Sequence, residues 1–155
     1  KDVPRRGSGI LTWYGFKIYA IAFYAASNPD ESAVFDEDRP CQLSIRYYRK
    51  LKKKDLICIA NECLNKRGDL DMEPLRERLD RFNDWYVNVR KGDEYRIVYR
   101  PDEGTELILN GRKLGVIPGA DFARAYFDVW LSDHSPNQKL REQLLGGNPA
   151  DEPAG

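Results

Sequence analysis

The sequence predicts an α+β fold built on an antiparallel sheet, and three observations carry that prediction. Runs rich in β-branched and aromatic residues open the chain and return after its middle. Turn signals at Pro101–Gly104 and Asn110–Gly111 join the later runs as consecutive hairpins. Segments with the helical period are inserted between these runs and follow the last of them.

After a polar, basic start, Ile10 to Tyr14 and Phe16 to Tyr24 read as two strands, or as one long strand bent at Gly15. In the second run Phe16, Ile18, Ala20, Ala22 and Tyr24 share one face, and Lys17, Tyr19, Ile21 and Phe23 the other. Apolar groups on both faces predict a central strand covered on both sides. Ser27 to Pro40 is an acidic, solvated connection that Val34-Phe35 pins to the core. Gln42 to Arg49 is the next strand, with Leu43, Ile45 and Tyr47 on one face and Ser44, Arg46 and Tyr48 on the other. That second face is the first candidate lining of a site.

From Lys53 to Lys66 the helical period puts Leu56, Ile57, Ala60, Cys63 and Leu64 on one stripe, and Gly68 ends the helix. A second helix starts near Met72 or Glu73 with Pro74 in its first turn, and Leu75, Leu79, Phe82 and Tyr86 form its apolar stripe. Its charged residues Arg76, Glu77, Arg78, Asp80 and Arg81 form a solvated face. Lys91-Gly92-Asp93 is a turn into the strand Tyr95 to Arg100, and Thr105 to Leu109 pairs through Asn110-Gly111 with Arg112 to Ile117, since a type I′ turn needs two residues with positive φ. The helix after Asp121 carries Phe122, Ala125, Tyr126, Val129 and Trp130 on one stripe. Ser135-Pro136-Asn137-Gln138 has the form of a capping box with Ser135 as N-cap, which predicts a last helix from Pro136 to Leu145. The reading is therefore one domain over residues 1–147 and a loose tail over 148–155.

The chain has 155 residues, 41% of them hydrophobic, which suits one ordinary core. Its 25 basic and 25 acidic residues cancel, so no global field favours nucleic acid or an anionic surface, although a local patch remains open. No apolar run approaches the roughly 20 residues of a membrane helix. Lys1-Asp2-Val3-Pro4 lacks the character of a secretory signal, and a mature chain from which a signal had been removed would look the same.

Cys41, Cys58 and Cys63 have neither zinc-finger nor Cys-x-x-Cys spacing, and they read as small buried apolar residues. On one helix Cys58 and Cys63 stand about 140° apart, which disfavours a bridge between them, while a pair with Cys41 stays open. His134, the sole histidine, lies beside the expected N-cap and reads as a linker residue without a paired nucleophile. No metal-ligand cluster, phosphate-cradling loop or nucleophile elbow occurs, so no cofactor and no metal are expected. Tyrosine and arginine remain. Tyr19, Tyr47, Tyr48, Arg46 and Arg49 come from two strands that can be neighbours, and an arginine among phenols is a receptor for a carboxylate or a satisfied structural pair.

The collinear set GSGILTWYGFKIYAIAFY, LSIRYYRKL with its helix, Asp93 to Tyr99, and GTELILNGRKLGVIPGADFARAYFDVWLS with LREQLL resembles the chalcone isomerase-like family, in particular its bacterial, often exported branch. The resemblance runs from about Gly7 to Leu145. It implies an open-faced β-sandwich: a curved antiparallel sheet with helices on one face and a cleft between the two layers. Plant isomerases of the family cyclise their substrate with help from an arginine, and their fatty-acid-binding relatives use an arginine for the ligand carboxylate. The resemblance puts the expected arginine at Leu11, the strand threonine at Tyr19 and the helical Ser/Thr at Ala123, with Asn61 and Glu62 near the expected asparagine. Leu11 removes the charge that would stabilise a phenoxide or bind a carboxylate.

The expected function is therefore a non-catalytic protein of this fold that binds a small hydrophobic or fatty-acid-like ligand through Tyr19, Arg46, Tyr48 and Asn61. Two alternatives stay open: an isomerase in which Arg46 or Arg49 replaces the missing arginine, and a structural or protein-interaction domain with no ligand. Nucleic acid is not an expected partner. Export is implied by the resemblance alone.

Overall fold

The structure is a computed structural model that describes residues 5–25, 38–68, 71–132, 135 and 137–146. Six strands form one antiparallel sheet in chain order: β1 (Arg5–Trp13), β2 (Phe16–Ala25), β3 (Cys41–Tyr47), β4 (Glu94–Arg100), β5 (Gly104–Leu109) and β6 (Arg112–Ile117). Helices α1 (Lys53–Asn65) and α2 (Glu73–Asp84) are inserted between β3 and β4, and α3 (Ala120–Leu131) and α4 (Gln138–Leu144) follow β6. No described helix is long and apolar enough to cross a membrane.

The strand alternation decides which side the helices cover. Leu11 lies opposite Tyr19, Tyr19 opposite Tyr47, Ile45 opposite Tyr95, and Tyr95 opposite Leu109, so these residues share one face. That inner face is buried at Tyr19, Ile21, Phe23, Leu43, Ile45, Tyr47, Tyr95, Ile97 and Leu107. Helix α3 packs on β5, α2 on β6, and α4 on β1 and β2, while α1 packs on α3. Gly7 and Gly9 allow α4 to approach: a Cβ at Gly7 would meet the main-chain oxygens of Gln143 and Leu144, and one at Gly9 would meet the side chains of Gln143 and Leu140.

Gly15 belongs to a hairpin turn, so Ile10 to Tyr14 and Phe16 to Tyr24 are two paired strands. β2 is covered by helices on one side, not both. Its Ile18, Ala20, Ala22 and Tyr24 face is half-buried, and what separates it from the core face is strand parity, which two apolar sets could not reveal. The first two helices and their buried stripe Leu75, Leu79 and Phe82 follow the predicted period. Arg78 ties α2 to the start of α3, donating to both carboxylate oxygens of Asp121 at 2.8 and 2.9 Å and to the carbonyls of Pro118 and Pro74 at 3.1 and 3.0 Å. This guanidinium holds the Asp121 carboxyl below its ordinary range.

The last helix begins later than its sequence pattern suggests. Asn137 is the N-cap, and its side-chain oxygen accepts from Leu140 N at 2.9 Å. Gln138 donates from Nε2 to the Ser135 carbonyl at 2.8 Å, while Ser135 N donates to the Ser132 carbonyl at 3.0 Å, so the reciprocal bond of a capping box does not form. Asparagine and serine are both good caps, so the sequence offered two competing starts. The cysteines are free: Cys41 is buried, Cys63 half-buried and Cys58 exposed, which corrects the expectation that all three are buried. Val34-Phe35, His134, Pro136 and the tail from Gly147 lie outside the described residues.

Candidate functional site

Between the sheet and the helices the structure assembles a cage of phenols. Tyr19 of β2 and Tyr47 of β3 face each other edge to face with centroids 5.7 Å apart, and Tyr47 and Tyr95 of β4 repeat the arrangement at 6.2 Å. From the helical layer α2 contributes Phe82 and, just past its last turn, Tyr86, while α3 contributes Phe122, Tyr126 and Trp130. Tyr86 meets Tyr95 at 5.0 Å and Phe82 meets Tyr126 at 4.8 Å, which closes the cage from above.

Four of the five hydroxyls have hydrogen-bond partners inside this apolar layer. Tyr86 and Tyr126 share a hydrogen bond of 2.8 Å between their hydroxyl oxygens. Trp130 Nε1 donates to the Tyr19 oxygen at 3.1 Å, and Val87 N donates to the Tyr95 oxygen at 2.9 Å. Burial pushes the Tyr19 phenol above its ordinary range, with the Trp130 donor partly offsetting it. Burial and the neighbouring phenols hold Tyr47 and Tyr86 well above that range, and burial raises Tyr126 and Tyr95 as well. Each is therefore a neutral donor near pH 7. No phenol here is poised as a base.

A second polar feature sits beside the cage in the helical layer. Asn83, on α2 next to Phe82, is buried and donates from Nδ2 to Asn61 Oδ1 on α1 at 3.1 Å. Its own carbonyl oxygen is buried without a hydrogen-bond partner, a costly state for an amide. Apart from these amides the surroundings are apolar: Phe82, Tyr95 and Leu107 have zero exposure, so the interior is closely packed around them.

Of the residues expected to bind ligand, Tyr19 and Asn61 lie within the layers, and Tyr47 joins them. Arg46 and Tyr48 do not. Tyr47 points inward, so its two neighbours must point outward, and both are exposed on the open face. Arg49 is exposed too, with its guanidinium 5.1 Å from the centroid of the Phe16 ring. Neither Arg46 nor Arg49 therefore replaces a charge at Leu11, which is half-buried opposite Tyr19 in register. Ala123 is fully buried in α3 and supplies no hydroxyl.

The cage residues that the sequence reading left out, Tyr86, Tyr95, Tyr126 and Trp130, were visible as members of apolar stripes and strands. Their convergence was not. Among the described residues no group of His, Cys, Asp and Glu side chains is arranged to hold a metal ion. An open depression of about 500 Å³ lies at the far end of β4, lined by Tyr99, Pro101, Gly104, Pro118 and Gly119 among others. Its Tyr99 is one alternate position beyond Ile97 and two beyond Tyr95 on the same strand, and none of the five caged phenols lines it.

The sequence profile of the chalcone isomerase-like family matches residues 5–146. No curated protein sequence matches this chain. Among solved structures, a fatty-acid-binding protein from Arabidopsis thaliana has the same fold at 16% identity, with a TM-score of 0.70 over 93% of this chain and 87% of that one. With its six-stranded antiparallel sheet and one-sided helical layer, the chain belongs to the chalcone isomerase-like family.

Proposed function

We propose that this protein is a non-catalytic binder of a small hydrophobic, fatty-acid-like molecule held between the sheet and the helices. The observation that carries the proposal is the neutral cage: five buried phenols, four of them with assigned hydroxyl partners, beside an amide carbonyl that lacks a donor. Such an interior offers an acyl chain apolar contact and offers a head group a few fixed donors and one acceptor. It contains no acid–base pair poised near neutrality, which general acid–base catalysis needs. The Arabidopsis thaliana relative in fold, a fatty-acid-binding protein, supports the same reading.

In this proposal Tyr19 and Asn61 are ligand-binding residues, joined by Tyr86, Tyr126 and Asn83. A head group with an O–H donor, such as a protonated carboxyl, would satisfy the Asn83 oxygen. Because the interior is closely packed, binding requires α2 and α3 to move apart from the sheet. Native mass spectrometry of gently purified protein tests the idea. Adducts with fatty-acid masses, weakened by Tyr126→Phe, are expected; a bare polypeptide mass after incubation with a series of fatty acids refutes it.

We also propose export, on the resemblance to the exported branch of the family. The coding sequence upstream of Lys1 decides this: a cleavable signal there is expected, and its absence refutes export.

A further inference from the structure

We infer that the β1–β2 hairpin tip and the adjoining basic segment form a docking surface for an anionic lipid bilayer. The first observation is an exposed aromatic residue at a turn with positive φ. Tyr14 and Gly15 have φ of 51° and 82°, nearly the values of Asn110 and Gly111 in the β5–β6 turn at 51° and 86°. Asparagine is the residue this position favours, whereas a tyrosine in the left-handed region carries a steric cost. Tyr14 recovers nothing by burial, since it is 83% exposed. Tyr14 thus stands outward on a protruding turn, where its ring can reach a surface beyond the fold.

The second observation is charge. Residues 46–54, RYYRKLKKK, contain six basic residues and no acidic one, in a chain whose 25 cations and 25 anions balance overall. The segment begins on the last turn of β3 and runs into α1, beside the hairpin: Tyr48 N donates to the Ile18 carbonyl at 2.9 Å. Lys53 is engaged with the Asp84 carbonyl at 3.1 Å, while Arg46, Arg49, Lys50, Lys52 and Lys54 are exposed. The nearby acids are Asp55 on α1, Asp84, whose carbonyl Lys53 contacts, Asp93, whose carbonyl accepts from Tyr47 N, and Glu94, the register partner of Arg46 and a 3.8 Å neighbour of Arg96; the six cations of the segment together with Lys17 outnumber these four.

The aromatics and cations are interleaved. Phe16 is 61% exposed beneath Arg49, and Lys17 lies 5.7 Å from the centroid of the exposed Tyr48 ring. Rings that seat at head-group depth, flanked by lysines that meet anionic phosphates, match the chemistry of a bilayer interface. Single-stranded nucleic acid is the competing polyanion, but it is held in grooves with open stacking faces. Here the tip is a protruding turn, and the Phe16 face is already occupied by Arg49. This surface is distinct from the phenol cage, so its test does not depend on an interior ligand.

Vesicle co-sedimentation tests the assignment, using phosphatidylcholine vesicles with and without phosphatidylglycerol at low and high salt. Binding to the phosphatidylglycerol vesicles that salt reverses is expected. Each lysine near such a surface is worth roughly a fivefold change in partitioning, so Lys50→Gln with Lys52→Gln lowers it by about 30-fold. Tyr14→Asn is expected to weaken binding while raising Tm by about 2–4 °C, because it relaxes the turn; a merely misfolded variant would lower Tm. Folded protein that ignores phosphatidylglycerol vesicles overturns the inference, and so does binding unchanged by the lysine pair. Tighter binding to a single-stranded oligonucleotide than to the vesicles overturns it in favour of nucleic acid.

Discussion

Raising the pH should unfold this protein steeply, because its interior phenols can lose their protons only when the fold opens. Burial raises Tyr19, Tyr47, Tyr86 and Tyr126 above their ordinary range. A folded-state pKa above the unfolded value gives stability that is fully present below about pH 10 and is lost as pH rises. At pH 11 an unfolded tyrosine gains about 1.4 kcal/mol from deprotonation that a strongly shifted buried counterpart does not, so Tyr47, Tyr86 and Tyr126 contribute about 4 kcal/mol, and Tyr19 adds in the same direction. That is a large part of the 5–15 kcal/mol typical of a domain, which puts the alkaline transition near pH 11 to 12. The assay follows tyrosinate absorbance and far-ultraviolet circular dichroism together. The caged set is expected to ionise only with loss of secondary structure. If the caged tyrosines ionise near pH 10 while the secondary structure persists, the interior is wet and the reasoning fails.

Phe82 has zero exposure and touches the rings of Trp85, Tyr86, Phe122 and Tyr126, so Phe82→Ala should cost about 3–5 kcal/mol, read as a lower urea midpoint with an unchanged m-value. Gly7→Ala forces the main chain of α4 away from β1 and should cost about 1–3 kcal/mol, with faster hydrogen exchange confined to α4. Thiol labelling should separate the cysteines: Cys58 is exposed and reacts first, slowed near neutrality because Glu62, 3.4 Å away, raises its pKa. Cys41, whose thiol burial pushes up to about 12, should react only on unfolding.

The fold was largely legible in the sequence because each strand and helix carries its own local signal. Asn110-Gly111 names its turn, Pro74 marks the start of α2, and the Phe122 to Trp130 stripe outlines α3. The failures have local causes too. Tyr14-Gly15 hides a turn under a residue that rarely adopts positive φ, so one bent strand seemed a fair alternative to a hairpin. Asn137 and Ser135 are both competent caps two residues apart. The site was half legible. Alternation along β3 separated Tyr47 from Arg46 and Tyr48 correctly, but choosing the arginine-bearing face assumed that a site must be lined with charge. The helices cover the apolar face instead, as hydrophobic burial demands. The remaining members meet only in three dimensions: Tyr86 and Tyr126 are 40 residues apart, and Tyr19 and Trp130 are 111 apart. No periodicity within one segment can report such a meeting.

The central claim is that a fatty-acid-like molecule binds among the caged phenols, and photo-crosslinking tests it most directly. A fatty acid carrying a diazirine on its chain, irradiated with the protein and mapped by peptide mass spectrometry, should label residues around Tyr19, Tyr126 and Trp130. The same labelling should weaken in Tyr126→Phe and be competed by unmodified fatty acid. Labelling confined to the outer face around Arg46 and Tyr48, or none that competes, would contradict the account.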